Sequence, residues 1–320
     1  MKESRTFDPA GALFGVGVPV LSAVTVLALA RLWAPRLPPT LATHWSGDVA
    51  DGFTDTGSAS WTFVLIVLLV GGGASAVAAL AHALLMMRRT MLIVGSAVTG
   101  LMLAVWIGLL SAHLDLASPE QASFPTVSIV VGLLVGGAVG VLGASLLRDH
   151  RERRTTDTRP DPALPRGPLT LPIVARVGLG DGTTAVLVAV GALVTVGLCR
   201  LADSWWMLAV FLPLTLLVVA LGRFRVVVDH TGLRVFNMGM CAVGYDIDEL
   251  EGARVTEIAP FRDFGGWGLR TKGRGNYGIV TATGPAVVVT AANGQRLTVT
   301  TDRAEEMAGA LNALADASRP

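Results

Sequence analysis

Long apolar runs separated by short polar stretches occupy most of the chain up to residue 222. A helix needs about 20 residues to cross a bilayer, and six of these runs have about that length. They cover residues 11–33, 61–87, 91–112, 125–147, 183–202 and 205–222. The last two runs are separated only by a short polar turn, so they predict a helical hairpin. The pattern predicts an α-helical integral membrane protein with about six transmembrane helices.

The spacing of apolar positions changes after residue 222, where apolar and polar residues begin to alternate as they do in strands. Two turn signals, His230-Thr231-Gly232 and Asn293-Gly294, each lie between two such runs, and Asn-Gly in this setting is a strong hairpin signal. Near the end, Met307, Leu311 and Leu314 recur at helical spacing. We expect about seven short strands and one amphipathic helix, arranged as a small β-barrel that the helix closes.

These patterns divide the chain into four parts. The parts are a four-helix transmembrane domain (1–147), a basic, proline-rich linker (148–182), a transmembrane hairpin (183–222) and a C-terminal β-domain (223–320). The composition of the linker predicts a flexible tether. A polybasic strip that binds lipid headgroups is the alternative, because clustered arginines beside a span attract anionic lipids.

The placement of lysine and arginine predicts the orientation of the spans. If the N-terminus is cytoplasmic, thirteen basic residues lie on the inner side, at or near the ends of spans, against three on the outer side. Cytoplasmic loops carry such an excess. The chain is therefore predicted to be a multi-pass protein of the plasma (inner) membrane with both termini, the linker and the β-domain in the cytoplasm. Only 15% of its residues are charged and 52% are apolar, which makes a purely soluble enzyme unexpected.

The loop after the first span, residues 37–53, reads LPPTLATHWSGDVADGF and faces outside in this topology. A proline, a His-Trp pair and an Asp-Gly-aromatic triplet in this order resemble a bacterial membrane family of unknown function that is found at the N-terminus of SdpI-type immunity proteins. The resemblance covers roughly residues 11–90. It makes six residues candidates for binding: Pro38, His44, Trp45, Asp51, Gly52 and Phe53.

Three interpretations of this loop remain open. It is a structured loop that folds back on the helix ends, a recognition surface for an external ligand, or a metal site formed by His44 with Asp48, Asp51 or Asp55. A tetrahedral site needs three or four ligands in fixed geometry, and one histidine among scattered aspartates is a weak basis for it. We therefore predict no metal and no cofactor.

The β-domain resembles the pleckstrin-homology-like domains that bacteria attach to membrane proteins. The resemblance covers about 223–317 and depends on the order of elements and on the stretch FGGWGLR. Five residues of this region form a basic and aromatic patch: Arg262, Trp267, Arg270, Lys272 and Arg274. The patch could contact anionic headgroups or a protein partner, or Trp267 could pack in the core with solvated arginines around it.

The sequence carries no catalytic signature. The motifs H-E-x-x-H, G-x-S-x-G and G-x-x-x-x-G-K-[ST] are absent. A G-x-G-x-x-G match at 273–278 is followed by strand-like sequence, whereas a dinucleotide site opens into a helix. Residues 223–320 hold eleven basic and eleven acidic residues, which argues against nucleic acid as a partner. We expect a protein that is not an enzyme.

The fourth span carries Gly132, Gly136 and Gly140, each four residues apart. Small residues in such a row let helices approach closely. The row predicts packing within the helix bundle, and homodimerisation through the same face is the alternative.

These observations lead to one expected function and two alternatives. The chain is expected to bind an extracellular peptide or small molecule at residues 37–53 and to couple that event to its cytoplasmic domain, in an immunity-like or signalling-like role. The first alternative is a scaffold that recruits a protein partner through the β-domain. A transporter is less favoured, because proton-coupled transporters bury carboxylates in their spans and none occurs here.

Overall fold

A computed structural model describes residues 6–47, 49–201, 203–273 and 275–319. Within these residues, five helices are long and apolar enough to cross a membrane, and a sixth apolar helix is shorter. They are α1 (Pro9–Arg36), α2 (Thr56–Ala79), α3 (Leu85–His113), α4 (Thr126–Leu146), α5 (Asp181–Leu201) and the shorter α6 (Trp205–Leu221). The predicted helical membrane part is confirmed as five helices of spanning length and apolar composition, in place of six.

The chain forms two compact units. Residues 1–151 and 192–213 make up the first unit, and residues 152–191 and 214–320 make up the second. The boundary passes through α5 and α6, so each of these helices contributes one half to each unit.

The second helix ends earlier than the apolar run predicts. It begins at Thr56, because the Asp55 carboxylate caps it by accepting the N–H of Ser58 at 2.9 Å. It ends at Ala79 rather than near residue 87. His82, which the sequence places inside the span, is therefore exposed in the turn that leads to α3.

Close helix packing in the first unit depends on glycine. A Cβ atom on Gly136 of α4 would lie 2.4 Å from the carbonyl oxygen of Ser96 and 3.0 Å from Cα of Gly100, both on α3. Gly132 and Gly140 lie against α3 in the same way. Lipid tails are as apolar as side chains, so this close approach and its dispersion contacts hold the helices together. The glycine row faces α3, and this face is not free for a second copy of the chain.

Strands occur in both units. The first unit contains the antiparallel hairpin of β1 (Thr40–Ser46) and β2 (Val49–Asp55), between α1 and α2. The second unit contains β3 (Ile173–Gly178), β4 (Arg223–Asp229), β5 (Gly232–Asn237), β6 (Met240–Asp246), β7 (Leu250–Ile258), β8 (Gly268–Thr271), β9 (Asn276–Val280), β10 (Gly284–Ala291) and β11 (Arg296–Thr300). Two helices join them, α7 (Pro260–Phe264) and α8 (Ala304–Ala317).

The strands of the second unit form two open sheets, which corrects the expected barrel. One sheet is antiparallel with the order β3-β4-β5-β6, and the other has the order β7-β10-β11-β9-β8 with a parallel β11–β9 pair. In the described part of the chain, the first and last strand of each sheet pair on one side only, so neither sheet closes. Met307 and Leu311 of α8 are buried, as the helical spacing predicts. The β4–β5 and β10–β11 hairpins lie at the two turns that the sequence predicts.

Much of the expected linker belongs to the second unit. Residues 173–178 form β3, which pairs with β4 along its whole length. The segment before β3 is held by the buried Asn312 of α8. The Asn312 side chain donates to the carbonyl oxygen of Pro165 at 2.8 Å and exchanges two hydrogen bonds with the backbone of Ala253. A proline-rich segment has few N–H groups of its own, and here side chains of the domain satisfy its carbonyl groups. The segment is thus held on the domain rather than tethered loosely.

Candidate functional site

The loop after α1 is a hairpin with two bulges. Ala42 pairs with Phe53 and His44 pairs with Gly52, so Thr43 is an extra residue on β1. The next pair joins Trp45 to Ala50, which leaves Asp51 as an extra residue on β2. A bulge changes the direction of the side chains around it. The two bulges place the short run from His44 to Ser46 opposite Asp51.

His44, Ser46 and Asp51 form a hydrogen-bonded polar face. His44 Nδ1 lies 2.6 Å from Oδ1 of Asp51, and the Ser46 hydroxyl donates to Oδ2 of the same carboxylate. An ionised carboxylate only accepts hydrogen bonds, so His44 donates through Nδ1 and presents Nε2 outward. The two hydrogen bonds, from Ser46 and from His44, hold the pKa of Asp51 below its usual range. The His44 side chain is 71% exposed, so this face is open to a ligand.

Gly52 makes the approach of the two strands possible. A Cβ atom at this position would lie 2.7 Å from Cβ of His44. Real Cβ atoms do not come that close, so any side chain here would push His44 away from Asp51. The close approach of the two strands therefore explains why glycine follows Asp51 in the motif. Phe53, the next residue, is 41% exposed.

Trp45 lies on the opposite side and fixes the hairpin to the loop between α3 and α4. Its indole N–H donates to the carbonyl oxygen of Ala122 at 2.9 Å. Its ring meets Phe124 edge-on at 5.3 Å between centroids, and Phe124 in turn lies 6.1 Å from Trp206. Such aromatic groups favour the depth of the membrane surface. Trp45 is thus an anchor rather than part of the exposed face.

A buried histidine fixes β1 to the end of α3. His113 Nδ1 lies 2.8 Å from the carbonyl oxygen of Leu109, and Nε2 accepts the backbone N–H of Ala42 at 2.8 Å. A carbonyl oxygen only accepts and an amide N–H only donates, so the imidazole is neutral with its proton on Nδ1. His113 is fully buried. Its role is not evident from the sequence, because it lies at the end of an apolar run without a neighbouring polar motif.

Two further contacts close the base of the loop. Arg36 at the end of α1 forms a bidentate ion pair with Asp115, just after α3, and this hydrogen bonding lowers the pKa of the Asp115 carboxyl. Pro38 is buried, and its carbonyl oxygen accepts from the Thr56 hydroxyl at 3.3 Å. Of the six predicted residues, His44, Asp51 and Gly52 meet at the exposed polar face. Phe53 follows on β2 with a partly exposed ring, and Pro38 and Trp45 support the loop from behind.

At the other end of the same helices lies a buried ion pair that no sequence motif indicates. Asp8 caps α1, and its Oδ2 accepts from Arg88 at 2.6 Å and from Nε2 of His150 at 3.0 Å. Arg88 is fully buried and also donates to the carbonyl oxygens of Ala78 and Arg148. Burial alone would raise the pKa of Asp8, but the hydrogen bonds from Arg88 and from the N–H of Gly11 lower it overall. We call Asp8, Arg88 and His150 the clasp.

The basic and aromatic patch of the second unit is on the surface. Trp267 is 61% exposed and packs edge-on against Phe261, with 4.8 Å between ring centroids. The interpretation in which Trp267 packs in the core is therefore wrong. Arg262 pairs with Asp263, Lys272 lies over the Phe264 ring, and Arg270 is exposed. Arg274 lies outside the described residues.

No group of three or more histidine, cysteine or acidic side chains that could hold a metal ion occurs in the described part of the chain, and Asp48 lies outside that part.

No protein-family model, curated protein or solved structure matches this chain. The resemblances of the loop motif and of the β-domain therefore stay predictions.

Proposed function

We propose that this chain is a non-enzymatic plasma-membrane protein whose β1–β2 hairpin binds an extracellular molecule and transmits that event to the clasp and the cytoplasmic domain. Both termini lie in the cytoplasm in this proposal, and the hairpin lies outside. The observation that carries it is the exposed face of His44, Ser46 and Asp51 on a hairpin whose reverse side is fixed to the helix bundle.

The exposed face suits a polar ligand with an apolar group. The Nε2 atom of His44 and the carboxylate of Asp51 offer hydrogen bonds to it, and Phe53 offers an exposed ring two residues away. The Thr43 and Thr54 hydroxyls lie 3.0 Å apart on the same hairpin. A peptide or a small molecule fits this mixture. Because the base of the hairpin is fixed, binding costs little ordering entropy.

The arrangement of the three polar residues supports binding rather than hydrolysis. A serine nucleophile needs a hydrogen bond to the base that removes its proton. Here Ser46 donates to Asp51, and His44 contacts the other oxygen of the same carboxylate. The serine and the histidine thus share an acceptor instead of forming a nucleophile–base pair.

Helix α3 connects the two ends of the first unit. His113 at its end accepts the backbone N–H of β1, and Arg88 near its beginning forms the clasp with Asp8. In its middle, Trp106 is fully buried and donates to the carbonyl oxygen of Val26 on α1. A helix of this length spans about 40 Å. A displacement of the hairpin would therefore reach the clasp, and with it the start of the segment that leads into the second unit.

Photo-crosslinking in native membranes tests the proposal. A benzoylphenylalanine at Phe53 replaces one exposed ring by another, and the same probe at Trp61, which is 59% exposed on α2, is the matched control. We expect a discrete crosslinked product from position 53 that is absent from position 61 and that disappears when His44→Ala is added. Equal product patterns at 53 and 61, or no effect of His44→Ala, would contradict the proposal. Labelling of Gly47→Cys by a membrane-impermeant reagent verifies the orientation.

The exposed ring pair supports a second candidate, a scaffold that recruits a protein partner through the β-domain. Phe261 is 63% exposed and Trp267 is 61% exposed, and aromatic residues of this kind are typical centres of protein interfaces. A crosslinking probe at Trp267 of the full chain tests this role. Protein products at 267 with none at 53 would favour the scaffold over the sensor.

A further inference from the structure

The exposed face of the four-stranded sheet carries three arginines beside the point where α5 and α6 join it. Arg176 on β3 is the cross-strand partner of Arg225 on β4, and Arg223 lies two residues before Arg225 on the same face. Phe236 is the partner of Arg225 on β5. These residues and Met238 line a pocket of about 340 Å³.

Among the residues that the structure describes, the three arginine charges in this pocket face a single carboxylate. Like charges directly opposite each other destabilise a sheet, yet Arg176 and Arg225 are such a pair. Arg176 and Arg223 share one carboxylate, that of Asp181, which is 70% exposed. Arg225 lies over the Phe236 ring at 4.8 Å and has no carboxylate partner among the described residues. The pocket is thus suited to an anion.

The pocket lies directly beside the ends of two apolar helices. The last pair of the β3–β4 ladder joins Gly178 to Arg223. Helix α5 begins at Asp181, three residues after Gly178, and α6 ends at Leu221, two residues before Arg223. When α5 and α6 lie in the bilayer, these few residues bring the three arginines to the depth of the lipid headgroups. Basic pockets at this depth bind anionic headgroups.

We infer that this pocket binds the phosphate of an anionic phospholipid. A guanidinium group presents two parallel N–H donors that match two phosphate oxygens, and Arg223 and Arg225 can approach one phosphate from neighbouring positions. Phe236 and Met238 provide an apolar wall for the glycerol and the first methylene groups. A free phosphate ester carries the same phosphate group, so the test must distinguish a phospholipid from a free phosphate ester. The inference is independent of the ligand of the outer hairpin.

Native mass spectrometry of the purified full chain tests this site, with phosphatidylglycerol and phosphatidylcholine added in equal amounts. The wild-type chain retains phosphatidylglycerol in preference. We expect Arg223→Gln with Arg225→Gln to weaken this retention about tenfold, because two charge-assisted contacts are lost. Arg234→Gln is the matched control: Arg234 lies on the same face of the sheet but pairs with Asp229 at 3.1 Å and does not line the pocket. It should leave retention unchanged.

A thermal unfolding assay separates the sources and checks folding. Stabilisation of the wild-type chain by phosphatidylglycerol, but not by millimolar glycerol phosphate, identifies a lipid site. Equal stabilisation by glycerol phosphate overturns the lipid assignment in favour of a free phosphate ester. Arg225 is exposed, so the single variant Arg225→Gln is measured in addition as a check on folding. Its unfolding midpoint in phosphatidylcholine alone must match that of the wild type. Unchanged retention in the double variant, or equal loss in Arg234→Gln, would overturn the proposal entirely.

Discussion

The backbone N–H of Ala42 donates to Nε2 of His113 at 2.8 Å, in the base of the β1–β2 hairpin. This bond joins β1 to the last residue of α3, and α3 carries Arg88 of the clasp near its other end. A single helix thus contacts both the proposed ligand-binding hairpin and the start of the segment that enters the second unit. Five consequences can be measured.

Gly52→Ala should destabilise the hairpin. The new Cβ would lie 2.7 Å from Cβ of His44, and overpacking of this kind costs about 1–3 kcal/mol. The midpoint of thermal unfolding should fall, and the crosslink from position 53 should weaken. Gly73→Ala on α2, where a Cβ meets no atom within 4 Å, should leave both readouts unchanged. Equal behaviour of the two variants would contradict the proposed role of Gly52.

Gly136→Ala should separate α3 from α4. Its Cβ would lie 2.4 Å from the carbonyl oxygen of Ser96, so we expect a lower unfolding midpoint in detergent. The neighbouring Gly137 offers a matched control, because a Cβ there meets no atom within 4 Å and alanine favours the helix over glycine. Gly137→Ala should be neutral or slightly stabilising. A larger loss from Gly137→Ala would mean that another face of α4 packs against α3.

Arg88→Met should be among the most damaging substitutions. It leaves the Asp8 carboxylate, whose side chain is 3% exposed, without its main partner, and breaking a buried ion pair costs about 3–5 kcal/mol. Arg88→Lys should recover only part of this loss, because lysine cannot reproduce the guanidinium contacts to Ala78 and Arg148. Thermal unfolding of both variants measures the effect. A wild-type midpoint for Arg88→Met would show that the clasp does not stabilise the bundle.

The hairpin should weaken in acid through Asp51. Hydrogen bonds from Ser46 and His44 lower the pKa of its carboxyl, so the stabilisation is present above the unfolded value of about 4 and is lost as the pH falls through the lower folded value. The difference in unfolding midpoint between the wild type and Asp51→Asn should therefore shrink as the pH falls below about 4. A difference that is constant between pH 6 and pH 3 would contradict this.

The apolar runs predicted the helices well, because run length alone distinguishes a span from a core helix. They did not predict where α2 ends, because the run continues through residues 80–87 while the chain turns at Leu80 to bring Asp8 and Arg88 together. The strands β1 and β2 were not predicted either. Their two bulges interrupt the alternation of apolar and polar residues by which strands are recognised.

The candidate site was predicted in part. The motif residues His44, Asp51 and Gly52 do meet at one face, since hairpin neighbours are close in the sequence. His113, Ala122 and Asp115 were not foreseen, because they lie at the end of α3 and in the loop after it, 71 to 79 residues further along the chain than the residues they contact. The barrel expectation was wrong because hairpin signals report pairs of strands and do not report whether the outer strands of a sheet meet.

Hydrogen–deuterium exchange of the full chain measures the proposed coupling between the hairpin and the clasp without a known ligand. His113→Ala leaves the buried N–H of Ala42 unpaired, which costs about 1–3 kcal/mol, and Thr43→Ala on the exposed side is the control. We predict that His113→Ala accelerates exchange in the hairpin and also at residues 80–88 and 148–151, while Thr43→Ala does not affect the latter two segments. Faster exchange in the hairpin with unchanged exchange at the clasp would show that the two ends of α3 are not coupled.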